Sequence, residues 1–175
     1  LTDEEWDSET DSYVYRSVAV TSGDALYAGD ISIPSSVIYN EQTYPVKYIW
    51  DEAFANCPRL TSVVLPNTIQ SIHSYAFQNC KMLSSVSLQE GLTDIAWDAF
   101  AGCTSLTSMV IPNSVTDLGY SLFDGCTALQ SVTLPNSITT LPFYIFKGCT
   151  NLTSVAIPET VTELEYGCFG GCERL

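Results

Sequence analysis

"IPNSVTDLGYSLFDGC", residues 111–126, ends in a phenylalanine and a cysteine three residues apart, and the chain returns to that pair at a fixed interval. Phe stands at 54, 77, 100, 123, 146 and 169, Cys at 57, 80, 103, 126, 149 and 172, and Leu at 60, 83, 106, 129, 152 and 175. The interval of 23 is kept through five full copies, without insertion or deletion, before a sixth stops halfway. A repeat of this length marks a solenoid, in which units that cannot bury an apolar side alone stack to share one core.

Each unit reads physically. Leu60, Val63 and Leu65 have the spacing of a short strand with these side chains inward, and Pro66 ends it because it cannot donate to a continuing ladder. Ile69 and Ile72 return to the core through a second extended piece. Ala53, Phe54, Cys57 and Leu60 recur at intervals of three and four, which suits one or two short helical turns. The residue before each Cys is Asn or Gly, the types that tolerate a left-handed backbone, so the turn is expected to end there. Equivalent residues of neighbouring coils then lie roughly 4.8 Å apart in parallel ladders. The expected fold is a solenoid made mainly of short parallel β-strands with short helical turns.

The cysteine column falls on the inward side, where a free thiol behaves as a small hydrophobe. Its side chains run parallel instead of facing each other, so reduced, buried thiols are expected, with Cys168 as one more core residue. Seven cysteines cannot all pair within one chain, and one histidine without a Cys-x-x-Cys argues against zinc.

Before the array, "YVYRSVAV" alternates like a strand, and "ISIPSSVIYNEQTYPVKYI" follows the repeat with nine extra residues that suit a hairpin turning at "NEQT". The chain therefore divides into an acidic leader over 1–12, read as mobile, an N-terminal β cap over 13–48, and the array over 49–175. The cap would cover one end of the core, and the halt at Leu175 in mid-unit reads as a piece of a longer protein.

The pattern C-x-x-L-x-S-V-x-I-P-x-S-V-x-x-I-x-x-x-A-F resembles the BspA-like, bacterial surface-antigen class of leucine-rich repeats over residues 49–175. That resemblance implies a right-handed leucine-rich-repeat solenoid of α/β-type repeats, a secreted or surface-anchored protein of host-associated bacteria or some protists, and attachment to host matrix proteins or other cells. It brings no catalytic residues.

Composition narrows the partners. Twenty acids against six bases give a net charge of -14, which argues strongly against binding to a phosphate backbone and also against docking on anionic lipid. Only 15% of residues are charged, so Ser, Thr, Asn and Tyr must cover much of the exterior.

Two outward columns are candidate surfaces. Ser62, Ser85, Ser108, Ser131 and Ser154 form a flat, nearly uncharged strand face; serine also simply suits a tightly stacked ladder. Three residues before each Phe stand Asp51, Ser74, Trp97, Tyr120, Phe143 and Tyr166, with Tyr75 and Tyr144 beside them. Four successive aromatics are expected to stack into a strip. Such a strip could anchor a protein partner, hold sugar rings or merely shield the core edge.

Catalysis has little basis. His73 is the single histidine and sits in a variable column, and no Gly-x-Ser-x-Gly or phosphate loop occurs. Asn151-Leu-Thr153 matches a glycosylation sequon but is also ordinary repeat filler. The sequence thus reads as a non-catalytic, secreted or cell-surface binding module without cofactor or metal. Its expected partner is a host extracellular protein or cell-surface ligand. A glycan-binding module and a structural spacer are the alternatives.

Overall fold

The structure, a computed structural model, describes residues 3–7, 12–22 and 26–175. Every coil of the array has two short strands. The first ladder contains β6 (Arg59–Val64), β8 (Ser85–Ser87), β10 (Ser108–Val110), β12 (Ser131–Thr133) and β14 (Ser154–Ala156). The second contains β7 (Ser71–Ile72), β9 (Asp94–Ile95), β11 (Asp117–Leu118), β13 (Thr140–Leu141) and β15 (Glu163–Leu164). All pairings between coils are parallel and offset by one repeat: Val63 faces Val86, and Ser108 faces Ser131, which faces Ser154.

The cap supplies the first rungs. β3 (Ala28–Ser32) pairs in parallel with β6, and β2 (Ser12–Val20) and β7 flank β5 (Gln42–Ile49). β4 (Ser36–Tyr39) forms the expected hairpin with β5, turning at Asn40 and Glu41, both at positive φ (49° and 64°) as a tight two-residue hairpin requires. Composition predicts no regular structure over 1–12, yet Asp3–Asp7 form β1, antiparallel to β2. The open edge of β2 offers backbone partners that composition does not reveal. Residues 1, 2 and 8–11 of that leader lie outside the described residues.

The turn carrying Phe and Cys is not a regular helix, and the hydrogen bonds say why. Alternate amides close short i→i−3 turns, as in Ala55 to Glu52 and Cys57 to Phe54, whereas those between them donate to the next coil. Glu52, Phe54 and Asn56 donate to the carbonyls of Ser74, Ala76 and Gln78, and the same three bonds recur at every later step. A helix would need these amides for its own i→i−4 ladder. The left-handed residue before each Cys is present as expected, from Asn56 (φ 56°) and Asn79 (58°) to Gly171 (77°). A second left-handed column, four residues earlier, was not foreseen: Glu52, Tyr75, Asp98, Ser121, Tyr144 and Gly167.

The Phe column is the spine of the core. Phe54, Phe77, Phe100, Phe123 and Phe146 are fully buried, and consecutive rings stack at 5.1–5.8 Å through to Phe169, with Tyr27 tilted over Phe54 at 4.8 Å. The cysteines are free; six, Cys168 among them, are buried, and Cys172 is half-buried. Cys80, Cys103, Cys126, Cys149 and Cys172 each donate to the Phe carbonyl of the preceding coil, as Cys126 Sγ does to Phe100 O at 3.1 Å, whereas Cys168 Sγ donates to Glu165 O at 2.8 Å. Burial pushes the Cys80 thiol up to about 12 and moves Cys103, Cys126 and Cys149 in the same direction. The column thus fills the gap between Phe and Leu while giving a buried carbonyl a second donor.

Candidate binding surface

The strand face is as expected in direction. Ser85, Ser108, Ser131 and Ser154 are exposed and Ser62 is half-buried, while Val63, Val86, Met109 and Val132, each one residue further on, point into the core. Ser62 and Thr61 both donate to Asp30, whose carboxyl these bonds hold below its ordinary range, Ser62 contributing most. Shallow depressions of about 390 and 340 Å³ lie along this face, and Glu90 is the one charged side chain among their linings. The first ladder is interrupted between β8 and β10. That break falls in the coil where Leu88–Gln89 replaces the Leu/Ile–Pro step of the others. Proline holds the residue before it extended, and Leu88 lacks that restraint.

The aromatic column is exposed along its length: Trp97 is 54% accessible, Tyr120 45%, Phe143 36% and Tyr166 73%. It is not the uniform stack expected from the column alone. Trp97 and Tyr120 stack at 5.8 Å and 3°, but Phe143 stands at 85° to Tyr120, and Tyr166 meets Tyr144 edge-on at 5.7 Å. The T-shaped contacts satisfy the ring quadrupoles as well as a parallel stack does, so spacing alone does not choose between them. Tyr75 and Tyr144 are half-buried, and Lys147 Nζ sits 5.4 Å from the Tyr144 centroid while bound to Asp124 at 2.9 Å. Gly119 lets the coils close here: a Cβ would lie 2.3 Å from the Ala96 carbonyl carbon and 2.4 Å from Trp97 N.

Beside the strip, the second ladder is broken between β11 and β13. There the Thr139 amide does not reach Thr116 O as its equivalents reach theirs, and a proline removes a second bond. The amides of His73, Ala96, Gly119 and Glu165 donate to Ile49, Ile72, Ile95 and Leu141 of the preceding coil. Pro142 holds the same column and has no N–H, so the Leu118 carbonyl loses that donor. A cleft of about 270 Å³ opens at this point, lined among others by Asp117, Leu118, Tyr120, Thr140, Pro142 and Glu165. A second cleft of about 260 Å³ adjoins it and shares Asp117, Leu118 and Tyr120, with Asp94 and Trp97 on its far side. The carboxylates of this groove were not singled out from the sequence; proline in an otherwise donating column was the available signal.

The remaining candidates fall away from this surface. His73 lies against Trp50 (4.2 Å between ring centroids) and Tyr48, with Asp51 3.9 Å from Nδ1, and no serine or cysteine hydrogen-bonds to it among the described residues. The Asn151 amide donates to Thr127 O and accepts from Arg174, so the sequon asparagine is already engaged at both ends. Among the described residues no cluster of His, Cys, Asp and Glu could hold a metal ion, and no helix is long and apolar enough to cross a membrane.

Comparison with known proteins agrees with the repeat. A family model described as the BspA-type leucine-rich-repeat region matches residues 47–175 in six copies. Among solved structures, a leucine-rich-repeat protein of T. pallidum is similar at 28% identity and TM-score 0.69, covering 99% of this chain and 87% of its own. A leucine-rich cell surface protein of Faecalibacterium prausnitzii is similar at 29% identity and TM-score 0.69 over 98% of this chain, which spans about half (51%) of that protein. A leucine-rich-repeat protein of Bacteroides capillosus reaches 35% identity over 67% of this chain and 86% of its own, with TM-score 0.58. A comparison with curated proteins finds no match. With the family model covering most of its length and the coils stacked as that repeat requires, the chain belongs to the BspA-type leucine-rich-repeat family.

Proposed function

We propose that the chain is a non-catalytic binding module of an extracellular or cell-surface protein, which attaches to a host or cell-surface protein through the strip Trp97, Tyr120, Phe143 and Tyr166. The observation that carries this reading is the exposure of four aromatics on four successive coils, joined by the bonds from the Asp98, Ser121 and Tyr144 amides to the Tyr120, Phe143 and Tyr166 carbonyls. Large rings held by a fixed backbone lose little conformational freedom on binding, which is why Trp and Tyr dominate protein-binding hot spots. The family favours interaction over chemistry, and its Faecalibacterium relative is described as a cell surface protein. A sugar platform is less well supported, because Phe143 at 85° interrupts the coplanar surface that flat stacking on several rings needs.

The test is a binding screen of the chain on immobilised host matrix proteins and a glycan panel, with Trp97→Ala/Tyr120→Ala alongside. Saturable protein binding that is lost in the double variant, with its melting curve intact, supports the strip. Binding that survives moves the site to the serine face, and binding on neither panel leaves a spacer that displays another part of the protein.

A further inference from the structure

The geometry points to a cationic occupant: we propose that the groove beside Tyr120 receives guanidinium or ammonium groups from a basic, extended segment of the protein partner. This rests on the strip being the binding surface.

The groove holds hydrogen-bond acceptors facing few donors. No hydrogen bond or ion pair engages the Asp117 carboxylate among the described residues, and Leu118 O lacks the donor its equivalents have. Glu165 Oε2 accepts from Phe143 N–H at 2.9 Å, and no hydrogen bond engages Oε1 among the described residues. Threonine hydroxyls are the only side-chain donors along this wall besides Tyr120 and Trp97, and no Lys or Arg lines either cleft. Acceptors and π-faces together favour a donor-rich cation. With a net charge of -14, the whole chain attracts basic partners and repels acidic ones.

The chain already makes this arrangement once within itself. Lys147 Nζ is 2.9 Å from Asp124 Oδ2 and 5.4 Å from the Tyr144 ring centroid, on the column next to the strip. In the groove, Tyr120 and Asp117 line the same two clefts, again a ring and a carboxylate, and no Lys or Arg is among the lining residues. A neutral sugar could use the acceptors, but it would gain nothing from the charge.

The experiment is calorimetric titration of the whole chain with an alternating Arg-Gly hexapeptide, its Glu-Gly counterpart and a neutral oligosaccharide, followed by the partner protein from the matrix screen. The Arg peptide is expected to bind, more weakly as salt rises, and the other two are not. Asp117→Asn/Glu165→Gln, which keeps the shape and the acceptor for Phe143 N–H, should weaken the Arg peptide about tenfold. Glu41→Gln/Glu90→Gln, the same charge change on the hairpin turn and the strand face, should leave it within about twofold. Pro142→Ala, which returns an N–H to Leu118 O, should close the cleft and weaken binding without lowering the melting temperature. Equal loss in the remote pair, no loss in the groove pair, or binding of the oligosaccharide or Glu peptide instead would overturn the proposal. If partner binding fails in Trp97→Ala/Tyr120→Ala yet is untouched by Asp117→Asn/Glu165→Gln, the strip stands and the cationic occupant falls. If neither pair matters, both fall.

Discussion

Replacing Phe100 by alanine tests whether the ring spine carries the fold. Phe100 is fully buried and stacks on two neighbours, Phe77 at 5.2 Å and Phe123 at 5.8 Å, so truncation removes both ring contacts and leaves a cavity enclosed by well-ordered coils. Buried Phe→Ala changes cost about 3–5 kcal/mol, and the rigid inter-coil hydrogen bonds leave little room for collapse, which places this one near the upper end. Phe169 is the control. It is half-buried and has a single ring neighbour, Phe146 at 5.6 Å, so the same change should cost about 1–2 kcal/mol. With a urea dependence of about 2 kcal/mol/M for a chain of this size, the midpoint should fall by about 2 M for Phe100→Ala and by less than about 1 M for Phe169→Ala. Urea titrations followed by both tryptophan fluorescence and far-ultraviolet circular dichroism measure the shifts, and coincidence of the two probes tests whether the coils melt together. Equal midpoints for the two variants would refute the reasoning, because they would mean that burial along the column is not what stabilises the array.

Three further outcomes are expected. Thiol titration under native conditions should leave the six buried cysteines unreactive and modify Cys172 slowly, with seven groups reacting after denaturation; any internal disulfide would contradict the parallel column. Because burial raises the folded Cys80, Cys103, Cys126 and Cys149 thiols while unfolded ones ionise near 9, the stability they contribute is complete well below pH 9 and is lost as pH rises above it, up to about 12 for Cys80. Each such thiol costs about 1.4 kcal/mol per pH unit in that window, so urea midpoints under reducing conditions should fall from pH 8 to pH 10, and a flat profile would be contrary. Gly119→Ala should destabilise by about 2–3 kcal/mol and shift the tryptophan emission, because its Cβ meets the Ala96–Trp97 backbone at 2.3–2.4 Å; thermal melting indistinguishable from the parent would show that the coils can part there.

The architecture was legible from residues alone, since a strict repeat of 23 turns every column of sequence into a ladder in space. Which residues face inward, where the chain turns before each Cys, that the thiols stay unpaired and that aromatics gather on four successive coils all follow from that one periodicity. Contacts between coils decided the rest. Tyr75, Ser121 and Tyr144 take a left-handed backbone that their own preferences oppose by about 1–2 kcal/mol, and nothing in their side chains announces it. They do so because their amides bond the next coil instead of their own turn. Ring orientation along the strip was equally hidden: column spacing puts Tyr120 beside both Trp97 and Phe143, but stacked and edge-on pairs are close in energy, and local packing selects one of each. Pro142 shows the boundary most plainly. The sequence names a residue without an amide hydrogen, but only the stacked coils reveal that its column is the one that must donate, and so place a cleft, with Asp117 and Glu165 on its walls, beside the exposed rings.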